Sequence, residues 1–278
     1  DTMNILILGW RDPKHPLAGG AEQVVHEHAK GWIKAGNKVT LFSSRFKGSS
    51  KEETLNGVEI IRGGFQYLVV QLAAFIYYLK SRGKFDLVID QFHGIPFFTP
   101  LYVRKPKVAL IQEVARNVWF LNPLPWPVNL VVGALGYLSE PLVFSIYKKT
   151  QFMTGSESAR DDVSKFGIPT DNITVVPHGV ILPKLKVKMT KAKIKTVTYL
   201  GVISKDKGVE DAIKTFAILN KKDNFKFWVI GKAEKKSYEK KIKSMVSSFS
   251  LVRKVKFWGF VDANKKFELL AKSHVLIN

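Results

Sequence analysis

The feature that most restricts the fold is a restart. Near the N-terminus an apolar run, Asn4-Ile-Leu-Ile-Leu8, leads through a loop to Gly19-Gly20-Ala21-Glu22 and a helical pattern. Further along, Val197-Thr-Tyr-Leu-Gly201 runs into Val-Ile-Ser-Lys-Asp-Lys207-Gly208 and a second helical pattern. A short all-apolar run followed by a glycine-bearing turn and a helix is the opening of a βαβ unit whose strand is buried on both faces. Two such openings predict two doubly wound α/β domains, with ligand held at the carboxyl ends of both sets of strands. The chain has 278 residues, 46% of them apolar, enough for two ordinary cores. A ligand-holding arrangement of this kind points to an enzyme.

Helical and extended patterns alternate through the whole length. After the first strand, Val25, Ala29, Trp32 and Ile33 recur at helical spacing over 21–35, and Gly36 stands at the C-terminal stop position. Further strands are predicted at 38–43, 58–61, 86–90, 107–112, 152–154 and 173–176, giving an open parallel sheet with right-handed crossovers. The texture changes at Pro183-Lys-Leu-Lys-Val-Lys-Met-Thr-Lys-Ala-Lys193, where lysine alternates with other residues and no helical stripe is present. The boundaries that follow are an N-terminal Rossmann-like domain over 1–183, a lysine-rich linker over 184–195 and a C-terminal Rossmann-like domain over 196–278. In the last of these, strands are predicted at 197–200, 226–230, 255–258 and 275–277, with helices at 208–219, 234–249 and 263–271. Four strands make only part of a doubly wound domain, so the second domain reads as incomplete and the chain as a shortened form of a longer protein.

Charge is unevenly placed. The net charge is +21, and residues 184–278 hold 24 of the 44 Lys and Arg but 8 of the 23 Asp and Glu. Such a field attracts phosphate-bearing ligands, anionic lipid or nucleic acid, although a solvated lysine surface is the simpler account. No zinc pattern, recognition module or aromatic RNA-binding motif accompanies the lysines, so nucleic acid is not an expected partner. Cysteine is absent, which excludes disulfides, thiolate metal sites and thiol catalysis. The N-terminal stretch lacks the basic flank and cleavage site of a signal peptide, and a cytoplasmic protein, peripheral at the cytoplasmic membrane face, is expected.

Residues 118–147 stand apart as an almost wholly apolar segment containing Trp119, Phe120, Trp126 and Tyr137. A membrane-crossing helix takes about 20 uninterrupted apolar residues. Pro125, Pro127, Asn129, Glu140 and Pro141 interrupt this run, so it is not expected to span. A core helix is the expected role; the alternative is an exposed apolar lip touching lipid, with Lys148 and Lys149 directly after it. Residues 65–79 are expected to form a buried helix.

Several motifs carry a family resemblance. Gly19-Gly20-Ala21-Glu22 after the first strand, Ser156-Glu-Ser158 before Arg160-Asp161, Ile173-Thr-Val-Val-Pro-His-Gly179, and Tyr199-Leu-Gly201 with Lys207-Gly208 together resemble glycosyltransferase family 4, proteins of the GT-B fold. Each motif alone is weak; their order and spacing over essentially the whole chain carry the resemblance. Phe257-Trp-Gly259-Phe260-Val and Leu269 to Ile277 resemble the stretch before the family's acidic donor motif, a spaced pair of glutamates that would begin just past Asn278. The resemblance implies transfer of a sugar from a nucleotide-diphosphate sugar to an acceptor hydroxyl, on a glycan, a lipid-linked or another acceptor, with retention of configuration. It implies no cofactor and no metal. Without the acidic motif, it implies an inactive or weakly active fragment.

Within that framework the candidates follow from charge and position. The departing nucleotide diphosphate gathers negative charge, so fixed N–H groups and cations that meet it lower the barrier. Gly19 and Gly20 allow close backbone approach, and the helix beginning near Ala21 aims its N-terminal dipole at phosphate or sugar oxygens. Gly201 and Lys207 are the diphosphate candidates of the second domain. The resemblance implies an arginine directly after Gly201, where this chain has Val202, and Lys205 is the candidate substitute. On the acceptor side Asp90 and His93 lie at a predicted strand end, and Gln112 ends the next strand where the family often has a histidine. These three are the catalytic candidates. Glu22, Glu113 and Arg116 are acceptor-side candidates, with a Glu113–Arg116 ion pair as the plainer account; His178 reads as a turn residue. No nucleophile and base stand together, so front-face attack assisted by the leaving diphosphate is expected. A nicotinamide enzyme fits poorly, because Gly9-Trp-Arg follows the first strand instead of Gly-x-Gly-x-x-Gly. The remaining alternative is a non-catalytic nucleotide-sugar or anionic-membrane binding protein on the same fold.

Overall fold

The computed structural model describes residues 2–65, 68–122, 124–179 and 191–277. They belong to two compact units, Asp1–Gly179 and Val180–Asn278. Residues 184–190, most of the expected lysine-rich linker, lie outside the described residues.

The first unit is built on one sheet of eight strands: β1 (Asn4–Leu8), β2 (Lys38–Ser43), β3 (Glu52–Leu55), β4 (Val58–Arg62), β5 (Leu87–Phe92), β6 (Lys107–Ile111), β7 (Gln151–Thr154) and β8 (Ile173–Val175). Their spatial order is β3-β4-β2-β1-β5-β6-β7-β8, parallel throughout except for the β3–β4 hairpin. The order reverses between β1 and β5, which opens a crevice at their carboxyl ends. The antiparallel strand β3 is an addition to the expected strands, pairing with the expected β4. The Asn56-Gly57 turn between them, with both residues at positive φ of 52° and 85°, is a two-residue hairpin signal visible in the sequence. Glu52-Glu-Thr-Leu55 lacks apolar alternation because an edge strand leaves it solvated.

Helices α1 (Gly20–Lys34), α2 (Leu68–Ser81), α3 (Val128–Ile146) and α4 (Glu157–Ser164) cover the sheet. Alternation along the strands divides the core. Ile5, Ile7, Leu41, Ile89 and Leu110 pack with Val25 and Ala29 of α1. Leu6, Leu8 and Val88 pack with Val70 and Ala74 of α2, while Phe92, Ala109 and Ile111 pack with Phe144 beside α4. Val88 and Phe92 point to the same side of β5, and Leu6 pairs with Val88 and Ile111 with Phe92. Helices α2 and α3 therefore share one face of the sheet, opposite α1.

The expectation of a buried core helix for residues 118–147 is overturned. Helix α3 runs unbroken through Pro141, and only its inner face is buried, at Gly133, Gly136, Glu140 and Phe144. Trp119 and Phe120, in the 3-10 segment Arg116–Leu121, lie against Gly136 and Gly133, positions that any Cβ would block. Glu140 is buried because it accepts the amides of Ala115 and Arg116 at 2.8 and 2.9 Å. Leu135, Leu138 and Leu142 are 64–70% exposed. By length and composition α3 is apolar enough to cross a membrane, with mean hydropathy 1.4. Helix α2 likewise buries only one stripe, so the expectation of a buried helix there is also half wrong.

A buried ion cluster pins the loop after β1. Arg62, 2% exposed, grips Asp12 through Nε and Nη2 at 2.7 and 3.0 Å and reaches Glu53 at 3.0 Å. Burial alone would raise the Asp12 carboxyl, but hydrogen bonds from Arg62 and the Lys14 amide, with the Arg62 charge, hold it below its ordinary value.

The second unit has four parallel strands, β9 (Thr196–Leu200), β10 (Lys226–Ile230), β11 (Val255–Gly259) and β12 (Val275–Ile277), in the order β11-β10-β9-β12. Helices α5 (Val209–Leu219), α6 (Lys236–Ser248) and α7 (Ala263–Lys272) complete it. Val197, Tyr199, Phe227 and Val229 form the core with Ile213, Phe216, Ile242 and Val246.

Candidate functional site

Each unit carries its own cluster at the carboxyl ends of its strands. In the first unit the loop after β1 brings Arg11 toward the start of α1, where Arg11 Nη1 lies 3.8 Å from Glu22 Oε1 and donates to the Leu17 carbonyl at 2.5 Å. Glu22 Oε2 accepts the Gly19 amide at 2.7 Å, closing the first turn of α1. Glu22 is only 7% exposed. One oxygen of its carboxylate thus serves as a cap while the other faces Arg11, so its first role is to shape the start of α1. Gly20 differs from Gly19: a Cβ there would meet nothing within 4 Å, and its φ is not positive. Neither packing nor backbone geometry requires a glycine at that position, so it is free to admit close approach of a ligand.

His93 follows β5 and stands edge-on to Trp10, ring centroids 5.8 Å apart. The Ile95 carbonyl accepts from Trp10 Nε1 at 2.9 Å and from Gln71 Nε2 at 3.1 Å, which fixes the loop that carries His93. The protein around the imidazole disfavours its charged form, Arg11 lowers its pKa further, and Glu22 and Glu113 partly offset both. His93 is therefore a neutral donor and acceptor near pH 7, not a cation. Arg11, absent from the sequence candidates, belongs to this cluster. Its signal was a lone basic residue two positions past the glycine that follows the first strand.

Asp90, a catalytic candidate by strand-end position, is instead structural. It is 0% exposed, and its carboxylate accepts the Phe97 amide at 3.0 Å, the Thr99 hydroxyl at 2.8 Å and the Tyr147 hydroxyl at 2.5 Å. Burial is the largest influence and raises its pKa despite these donors. Both oxygens are committed to joining the Phe97–Thr99 loop to the end of α3, so no ligand reaches them. Arg116 is exposed; its guanidinium lies 4.5 Å from the Phe166 ring centroid, and no Glu113–Arg116 ion pair forms among the described residues. Glu113 itself is exposed.

Gln112 borders a small recess lined also by His28, Thr154, Val176 and His178. His178 is not merely a turn residue. Its ring fills the space over Gly155, where a Cβ would stand 2.2 Å from Nε2. The Thr154 hydroxyl is buried there with no hydrogen-bond partner among the described residues.

In the second unit the turn after β9 is held from beneath. Tyr199, 1% exposed, directs its hydroxyl to the carbonyls of Val202 at 2.9 Å and Lys207 at 3.1 Å. The Gly201 amide donates to Ile230, and a Cβ on Gly231 would lie 1.8 Å from the Gly201 carbonyl oxygen. Gly231 was missed in the sequence, although Ile230-Gly231 repeats the strand-then-glycine pattern of Leu200-Gly201. Gly208, at φ 68°, then starts α5. Lys205 and Lys207 are exposed on this turn; Lys207 lies 3.4 Å from Asp206, and Lys205 has no ion pair among the described residues. Val202 is 50% exposed and supplies no charge. Among the described residues no three His, Asp or Glu converge on a metal-sized site.

Residues 18–182 match the family described as Glycosyltransferase Family 4, and residues 184–278 match Glycosyl transferases group 1. No curated protein matches the chain. Among solved structures, sucrose-phosphate synthase from Thermosynechococcus elongatus is similar with TM-score 0.73 and 14% identity, over 99% of this chain and 74% of that one. Anabaena Alr3699/HepE in complex with UDP-glucose gives TM-score 0.65 and 14% identity, over 99% and 73%. The catalytic domain of starch synthase IV from Arabidopsis thaliana, bound to ADP and acarbose, gives 0.67 and 11%, over 99% and 78%.

Proposed function

This chain belongs to glycosyltransferase family 4 and has the GT-B fold of two Rossmann-type units, and on that premise we propose that it moves a sugar from a nucleoside-diphosphate donor to an acceptor hydroxyl with retention of configuration. The observation that carries the reading is the turn from Gly201 to Gly208, where Tyr199 and Gly231 fix the backbone and leave Lys205 and Lys207 exposed. A rigid turn bearing two cations at the start of a helix suits a diphosphate. The nucleotides bound in Anabaena HepE and in starch synthase IV support a donor of this chemical class.

In this reading the bond from the anomeric carbon to the diphosphate oxygen breaks while the acceptor oxygen bonds to the same face of that carbon. The acceptor proton passes to the departing diphosphate, so no protein base is needed. Lys205 and Lys207 meet the growing negative charge, Lys205 taking the part of the arginine that Val202 replaces. In the first unit, open Gly20 and neutral His93 contact donor or acceptor hydroxyls, and exposed Glu113 stands on the acceptor side. Gln112 offers a hydrogen bond from its own recess. No metal takes part in the proposed step, and the proposed compartment is the cytoplasm.

Calorimetric titration of the chain with UDP, ADP and GDP tests the donor half. Binding of one of them is expected, with Lys207→Gln weakening it by about 1.5–3 kcal/mol, the worth of a charge-assisted contact. If no nucleoside diphosphate or nucleotide sugar binds, the reading fails. Product with inverted configuration would overturn retention, and a trapped covalent sugar on Glu113 would overturn front-face attack.

A further inference from the structure

Helices α2 and α3 turn a second, unused surface to solvent. On α3, Val131, Leu135, Leu138 and Leu142 follow helical spacing along the outer face and are 58–70% exposed. On α2, Leu68, Leu72, Ile76 and Leu79 do the same at 44–65%. Both helices lie on one side of the sheet, and the 3-10 turn Thr99–Leu101 joins their surroundings. Thr99 shares Asp90 with Tyr147 just after α3, Tyr102 packs on Phe75 and Tyr78 of α2, and Leu101 is 68% exposed. At about 100 Å² apiece, the four side chains of each stripe present on the order of 400 Å², so each stripe alone is the size of the largest apolar patch on a typical monomer, about 300–600 Å².

The edge of this face is basic. Lys80, Arg82 and Lys84 precede β5, Arg104 and Lys105 precede β6, and Lys148 and Lys149 precede β7. These three strands are neighbours, so all seven cations line the amino-terminal edge of the sheet's centre. All seven are exposed, and none has an ion-pair partner among the described residues. At the other end of α3, Trp126 is 79% exposed and Leu124 43%. A long apolar stripe with an aromatic end and a row of unpaired cations matches the chemistry of a bilayer interface: acyl chains for the stripe and anionic headgroups for the rim.

We propose that this face of the first unit docks on the surface of an anionic lipid bilayer, with α3 lying in the plane of the interface. Helix α3 does not cross the bilayer, because Phe144 is buried in the core and Glu140 holds the backbone of the preceding segment. The inference is separate from sugar transfer, and its test uses no nucleotide.

Flotation of the whole chain with vesicles tests it, comparing pure phosphatidylcholine with a mixture containing about a third phosphatidylglycerol, across a salt series that screens charge progressively. The protein is expected to float with the anionic vesicles and to keep a residual bound fraction at high salt. Combined Leu135→Ser, Leu138→Ser and Leu142→Ser changes should weaken binding at least tenfold and abolish that residual fraction. Combined Arg104→Gln, Lys105→Gln, Lys148→Gln and Lys149→Gln changes should weaken binding at low salt at least fivefold, although the charge of residues 184–278 is untouched. This second variant changes only exposed polar positions and keeps the test decisive if the serine variant fails to fold. Flotation of either variant equal to the unaltered chain would overturn the proposal. So would absence of vesicle binding together with a dimer that the serine changes dissociate, which would make the face an interface between copies.

Discussion

Replacing Tyr199 with Phe removes a single oxygen from beneath the Gly201–Gly208 turn and leaves the ring in place. The hydroxyl has one proton for two carbonyls, Val202 at 2.9 Å and Lys207 at 3.1 Å, so the contacts count as one shared donor. Burial, with Asp206 nearby, pushes its pKa up to about 12, so the proton stays on the hydroxyl at any working pH. One net hydrogen bond is worth about 0.5–1.5 kcal/mol, and stranding a carbonyl adds to that, for a total of about 1–2 kcal/mol. No cavity contribution enters, because the buried ring is retained. Urea unfolding of the second unit should shift by that amount with an unchanged slope. Hydrogen exchange over residues 201–208 should quicken while the sheet of the first unit stays protected. A looser turn must be ordered again on binding, so affinity for a nucleoside diphosphate should fall about fivefold, roughly 1 kcal/mol. Unfolding, exchange and affinity all matching the unaltered chain would refute the claim that this hydroxyl holds the turn.

Three further outcomes are expected. Arg62→Met strands the fully buried Asp12 carboxylate and should cost about 3–5 kcal/mol in denaturant unfolding; adding Asp12→Asn should recover part of the loss, and simple additivity of the two changes would contradict the pairing. Gly231→Ala would set a Cβ 1.8 Å from the Gly201 oxygen at φ 145°, so exchange protection should collapse across β9 and β10 but persist in the first unit. His15, His26 and His28 have lowered pKa values, with burial the leading cause. At these imidazoles the unfolded chain binds more protons than the native one below about pH 6.5, so their contribution is present above that pH and lost as pH falls through the native values. The melting temperature should drop from about pH 7 to pH 5, and replacing His26 with Gln should flatten the profile.

Much of the strand and helix order was legible in the sequence. Asn4–Leu8 and Thr196–Leu200 are short, apolar and followed by glycine, and local pattern suffices for strands buried on both faces. Glu52–Leu55 escaped because an edge strand needs no apolar alternation, although Asn56-Gly57 advertised the turn. The site was legible as positions along the chain. Several candidates do stand at strand ends, but which of them are open to a ligand was not readable: Glu22 caps its own helix and Asp90 is buried among Phe97, Thr99 and Tyr147.

The sequence by itself determined most of the order of strands and helices, that a second strand–turn–helix opening follows Thr196, and where glycines interrupt the backbone, because these depend on neighbours a few residues apart. Only the tertiary structure decided three other matters. Asp90 is consumed by partners 7, 9 and 57 residues away. Gly231 is required by the Gly201 carbonyl oxygen, an atom thirty positions back in the chain. Helix α3 is apolar on every side, so its periodicity carries no sign of which face the sheet takes; packing against Gly133 and Gly136 chose it, and left the leucine stripe in solvent.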